Sequence, residues 1–231
     1  MSNRQAVAQV WRQLASVTDP ELDEPLPDLG FIQSVEVESS NDVRVTFKLP
    51  TYWCAANFAF MMARDIRERI EELGWVQRAT VELVDHFCGS EINRGVADSD
   101  SFKAAFPDEA TGDLDDLRRV FQAKAFMHRQ AYLLRYLLRE FTAAQLVALT
   151  VSELAALQIT DEAGLRMRRR YVAARQELAA RIPSDLAFVR PSGQGLTAES
   201  LPDYLKELRG ASANIDFNVA MCSSLLRARL Q

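Results

Sequence analysis

Cys54 stands where two unlike sequence patterns meet. Before it, Val43, Val45, Phe47 and Leu49 alternate with Arg44, Thr46 and Lys48, the period of a strand with one buried and one wet face. After Pro50, an apolar stripe of Phe58, Met62, Ile66, Ile70 and Leu73 runs opposite Arg64, Arg67, Glu68, Glu71 and Glu72, the pattern of an amphipathic helix. A thiol at that passage lies beside the first amides of a helix, which have no partner within it. Together with the helix dipole they favour an anion there. The thiolate is the form of cysteine that binds iron or zinc and attacks disulfides. The competing reading is a small buried hydrophobe, because free cysteine is often fully buried.

Two further groups have the chemistry to join it. Asp19, Glu21, Asp23, Glu24 and Asp28 put carboxylates into one short stretch, as hard oxygen ligands for iron or orienters of a metal-bound group. The plainer reading is that Asp19 ends and caps local structure while Gly30 allows an unusual backbone angle. For these residues alone the plainer reading is preferred. His86 and Cys88, two apart, leave an extended chain on the same side. With Cys54 they would supply two thiolates and an imidazole, a soft set suited to zinc or to iron–sulfur ligation. Strand alternation sets them opposite Val81 and Leu83, so a shared metal site requires the chain to turn after Val84.

Several elements must position these groups. Val7, Val10, Trp11 and Leu14 predict a helix over 5–17, stopped by Asp19-Pro20. Strands are expected at 31–38 and 43–49, joined through Asn41-Asp42. After the helix ending near Gly74, a third strand is expected at 75–84. The order helix, strand, strand, helix, strand predicts a two-layer α+β domain over 1–97. Small, acidic and breaker residues mark 98–112 as a linker, with room for a short helix at Ser101–Phe106. Residues 113–231 are expected to be all-helical. Helices are placed at 113–139, 162–181, 198–209 and 214–230, and the capping-box spacings Thr142/Gln145 and Thr150/Glu153 mark two further helix starts.

The acidic Asp19-Pro-Glu-Leu22 after a first helix, Asp28-Leu-Gly30 entering a strand, a hairpin, and Thr51-x-x-Cys54 opening a helix together resemble the SufT/PaaD-type metal–sulfur cluster assembly proteins, over residues 5–90. The resemblance implies an α+β domain that assists maturation of iron–sulfur or related iron proteins. It would act on a client protein rather than as an enzyme on a small substrate, handling iron or an iron–sulfur cluster transiently. Within the pattern Cys54 matches the family's reactive cysteine, Thr51 the threonine before it, and Asp19, Glu21 and Asp28 the acidic positions. The sequence departs from the family where prolines commonly flank the cysteine: Tyr52, Trp53 and Ala55 stand there instead. It departs again where the third strand runs into Asp85-His-Phe-Cys-Gly89.

Other candidates carry less. His128 lies with Phe121, Ala125 and Tyr132 on a largely apolar helical face and is expected to be a core histidine. Cys222 shares a stripe with Ile215, Val219 and Leu226 and is expected to be core as well. The run Arg166, Arg168, Arg169, Arg170 reads as a solvated helix face or as a dock for an acidic partner. The loop Ser192–Gly195 lacks the lysine of a phosphate-binding loop, and no Gly-x-Ser-x-Gly, His-Glu-x-x-His or Cys-x-x-Cys motif is present.

The net charge of −5 argues against a nucleic-acid binder. Residues 1–97 hold nine Lys/Arg against fifteen Asp/Glu, and the remainder eighteen against seventeen, which supports two units with different surfaces. No apolar run approaches the roughly 20 residues of a bilayer span. Three cysteines at irregular spacing make no disulfide framework, so a reducing, cytoplasmic location is expected. The helical half is expected to recognise the client or to mediate homo-oligomer formation. A client metalloprotein or an iron-dependent oxygenase is the partner the family analogy suggests. The alternative is a binding scaffold or chaperone with no metal chemistry of its own. A thiol enzyme is a weaker third reading, since His86 or His128 would have to approach Cys54 as its base.

Overall fold

The computed structural model describes the chain except residues 99–100, 108–113, 179–183 and 230–231. Its architecture is α+β: a three-stranded sheet with helices, followed by an all-helical region. Two compact units emerge, Met1–Arg119 with Phe217–Gln231, and Val120–Asp216.

In the first unit, α1 (Asn3–Leu14) starts at Ser2, whose side chain and that of Gln5 form a reciprocal capping box. Strands β1 (Ile32–Val37) and β2 (Asp42–Lys48) pair antiparallel, with a register shift between Ile32 and Ser34. Helix α2 (Ala56–Glu71) then carries the chain to β3 (Arg78–Val84), which pairs parallel with β2 from Asp42↔Arg78 to Lys48↔Val84. The sheet order is β1-β2-β3. Alternation does the sorting: Val43, Val45, Phe47, Ala79, Val81 and Leu83 are buried under a layer in which Ala59, Phe60, Met62, Ala63, Ile66 and Ile70 of α2 are buried as well.

The chain beyond β3 departs from expectation. Asp85 takes a left-handed backbone angle, φ 54°, and the strand turns directly into α3 (Gly89–Ala97). Asn93 fastens that helix back on the sheet: its side chain accepts from Leu83 N at 2.8 Å and donates to Leu83 O at 3.1 Å. The described part of the expected linker is packed rather than free. Helix α4 (Phe102–Ala105) is capped by Ser101, and Phe106 is buried in the first core. Gly95 has room for neither Ala105 nor Phe60 to move closer, since an added Cβ would fall 2.8 Å and 3.1 Å from them. The remainder of that stretch, 99–100 and 108–113, lies outside the described residues.

Helix α5 (Leu114–Leu137) and α9 (Leu201–Arg229) contribute residues to both units. The two expected helices 198–209 and 214–230 are thus one; an interior glycine, Gly210, costs a helix only about 1 kcal/mol, and nothing crowds it. The division of the chain shifts accordingly. Leu114 and Leu226 belong to the first core, so 113–231 is not a single helical domain.

In the second unit, α6 (Ala143–Ala148) and α7 (Val151–Ala156) begin with reciprocal capping boxes at Thr142/Gln145 and Thr150/Glu153, as their spacing required. Helix α8 (Glu162–Glu177) is capped by Asp161; the end expected for it near 181 lies outside the described residues. A buried polar chain ties the core: Tyr204 donates to Gln130 Oε1 (2.6 Å), Gln130 Nε2 to Tyr171 Oη (2.8 Å), and Tyr171 to Ala187 O (2.7 Å). Arg169 pairs with Glu162 and Arg168 donates to Leu157 O. Among the described residues no helix is long and apolar enough to cross a membrane.

Candidate functional site

Cys54 is half-buried and lies two residues before the first residue of α2. At the helix start Ala55 has no side-chain cap to offer and the first turn holds no acidic residue, while Asn57 Oδ1 accepts from Phe58 N at 2.8 Å. The positive end of the helix, with no acidic side chain in its first turn, favours an anion there. The Thr51 hydroxyl lies 3.3 Å from the Cys54 sulfur and fixes its rotamer. Cys54 is thus partly buried and packs against the first core without being sealed in it.

His86 braces the same point from the other loop. Its Nε2 lies 2.8 Å from the Cys54 carbonyl oxygen. A carbonyl only accepts, so Nε2 carries the proton. Nδ1 is then the acceptor for Cys88 N–H (3.4 Å) and for the Cys88 thiol (3.5 Å). Burial, offset in part by the bond to Cys54 and reinforced by the charge of Arg229, holds the imidazole below its ordinary pKa. A neutral ring with that tautomer satisfies every one of these contacts. The chain turns after Val84 and brings His86 to Cys54, but as a backbone brace with both nitrogens engaged. Cys88 is buried at the N-terminal cap of α3. Among the described residues no group of three or more His, Cys, Asp or Glu is gathered to hold a metal ion. The expected Cys54–His86–Cys88 ligand set is therefore not assembled, because the ring is spent on positioning.

Three exposed aromatic rings flank the thiol. Tyr52 and Trp53 come from the loop before α2, and Phe87 from the loop after β3; Trp53 is 74% exposed. Trp53 stacks on Phe87 at 5.4 Å and meets Tyr52 edge-on at 4.9 Å. The two loops are tied by Phe87 N–H donating to Tyr52 O at 3.1 Å. No proline stands beside Cys54, and these ring contacts and the Phe87–Tyr52 bond join the two loops.

The acidic stretch divides by role. Asp19 is 7% exposed, and its Oδ1 accepts from Glu21 N (2.8 Å) and Leu22 N (2.9 Å). Burial is the main cause raising its pKa to about 6; the two backbone bonds lower it and the charge of Glu21 raises it again. The capping reading of Asp19 is the observed one. Gly30 has φ 75°, the left-handed angle its position called for. Glu21 is half-buried and Asp28 exposed.

Residues 7–83 match the iron–sulfur cluster assembly protein family. The match covers less than half of the chain. It takes in α1, the sheet, α2, Cys54, Thr51 and the acidic positions, and stops before His86. It supports a role in iron–sulfur cluster assembly or maturation. No curated protein and no solved structure matches the chain.

One feature of this site escaped the sequence: the brace from His86, visible only as a His near a strand end. Cys222 of α9 packs on the first core, as its apolar stripe indicated. It is half-buried against the first core, as Cys54 is, and burial, then the charges of Asp19, Cys54 and Glu21, push its thiol up to about 11. His128, by contrast, is buried, 3.2 Å from Asp216 Oδ1 and edge-on to Tyr132 within the second unit.

Proposed function

We propose that this chain is a maturation factor that holds iron or an iron–sulfur cluster at Cys54 and passes it to a client protein, acting as an accessory protein rather than an enzyme. The observation that carries this reading is the half-buried Cys54 just before α2, whose N-cap Ala55 offers no side-chain bond, within the segment that matches the assembly family. The helix end favours a thiolate–metal adduct, the threonine hydroxyl contacts the sulfur, and the imidazole braces the Cys54 backbone. The exposed Tyr52–Trp53–Phe87 wall supplies a contact for the client, whose own ligands would complete the metal's coordination. The client is a metalloprotein or an iron-dependent oxygenase, and the reaction compartment is a reducing one in which three free thiols persist.

The test is anaerobic loading of the purified full-length chain with ferrous iron and sulfide. The wild type should retain iron through desalting and Cys54→Ser should retain a small fraction of it, with His86→Asn in between. Equal retention by Cys54→Ser would overturn the reading. The aromatic wall also favours a second reading, a scaffold without metal chemistry. In that case Trp53→Ala abolishes partner capture while Cys54→Ala is silent in every assay.

A further inference from the structure

Helix α9 presents one face to the motif loops. Asn218 donates from Nδ2 to Glu21 Oε1 at 3.3 Å. Leu226 is buried in the first core, its Cδ2 3.6 Å from where a Cβ on Gly30 would lie. Arg229 donates from Nη1 to Leu49 O at 2.8 Å, and pairs with Asp85 Oδ2 at 2.6 Å. Residues spaced by four, four and three along a helix share one side. Cys222 is the member of that series between Asn218 and Leu226, so its side chain is turned to the ground between Glu21 and Gly30. Cys54 and Cys222 pack on the same core.

We infer that Cys222 is the second sulfur of the Cys54 site, so that the two cysteines together hold a thiophilic divalent cation such as ferrous iron. The inference rests on the maturation reading and extends it beyond the matched segment, to a residue that a domain of residues 7–83 alone would lack. The step is a ligand exchange without redox: two thiols and one divalent cation give two metal–sulfur bonds and release two protons. Two protein sulfurs leave the remaining coordination positions to the client, which suits a carrier that must let go. The surroundings also fit. Glu21, bonded to Asn218 on this face of α9, adds a carboxylate that attracts a cation. Because thiols bind metals as thiolates, cation binding releases protons and tightens as pH rises.

Cobalt(II) is the probe, because its thiolate charge-transfer absorption grows with the number of bound sulfurs. The full-length chain is reduced, handled anaerobically and titrated. The wild type should show a two-thiolate band and release two protons per cobalt. Cys222→Ser and Cys54→Ser should each give about half the band, one proton, and affinity weaker by about tenfold or more; Cys88→Ser should match the wild type. Protection from iodoacetamide, read by peptide mass spectrometry, needs no variant: cobalt should shield Cys54 and Cys222 together. A Cys222→Ser chain equal to wild type, with Cys222 unshielded, overturns this inference and leaves the role of Cys54 standing. The absence of any band in the wild type overturns both.

Discussion

Replacing Asp19 with asparagine removes an acid that the folded chain holds at a disadvantage. Its pKa rises from 3.8 to about 6, chiefly through burial. At about 1.4 kcal/mol per pH unit, that rise corresponds to roughly 3 kcal/mol. The sign follows from linkage. Below about pH 4 the acid is protonated folded or unfolded, and nothing is lost. Between about 4 and 6 the folded state binds the proton more tightly, so stability falls as pH rises. Above about 6 the whole penalty is present. Asparagine keeps the Oδ1 that accepts from Glu21 N and Leu22 N and carries no charge. Asp19→Asn should therefore be more stable than wild type by up to roughly 3 kcal/mol at pH 7.5, a urea midpoint shift on the order of 1.5 M. The gain should shrink to nothing by about pH 4. Tryptophan fluorescence is the signal to follow, since Trp11, Trp53 and Trp75 all belong to the first unit. A variant no more stable than wild type at pH 7.5, or a gain that persists unchanged at pH 4, would refute the reasoning.

Gly164→Ala should destabilise the helical unit by about 1–3 kcal/mol through overpacking, because an added Cβ would lie 2.5 Å from Tyr136 Cζ and 2.7 Å from Ile159 Cγ2; thermal unfolding by circular dichroism reads it. Arg229→Ala should loosen the end of α9, raising amide exchange across 222–229, since it loses the bonds to Leu49 O and Asp85. The same change should raise the Asp85 pKa. Hydrogen bonds first from Lys48 and then from Arg229 hold it below the ordinary value, so the pairing is present above the unfolded pKa and lost as pH falls through the folded one. NMR titration of Asp85 in both proteins measures the shift.

Much of the fold was legible because its signals are local. The alternation through Val43, Val45 and Phe47 defined β2 and its buried face, and Thr142/Gln145 and Thr150/Glu153 marked two helix starts by capping chemistry alone. The acidic motif was legible as a set of residue types, and Gly30 as a backbone requirement. What failed was what local pattern does not encode. Asp85-His-Phe-Cys reads as strand continued, and only the left-handed turn at Asp85 sends His86 to the Cys54 carbonyl. That placement turned an expected ligand into a brace. Gly210 reads as a break, yet burial of Leu208, Ser212 and Ile215 carries α9 through it. Cys222 showed an apolar helical stripe, which says that a face is covered but not by what. What the stripe covers lies far earlier in the chain, as the bond from Asn218 to Glu21 shows, and only tertiary packing brings them together.

The most direct test of the maturation account is the metal content of the client itself. Proteins that co-purify anaerobically with the full-length chain are isolated from cells carrying wild type or Cys54→Ala, and their iron and sulfide are measured per polypeptide. The account requires equal capture by both chains, with the partner poor in iron and sulfide when Cys54 is missing. A partner fully loaded beside the Cys54→Ala chain would contradict it.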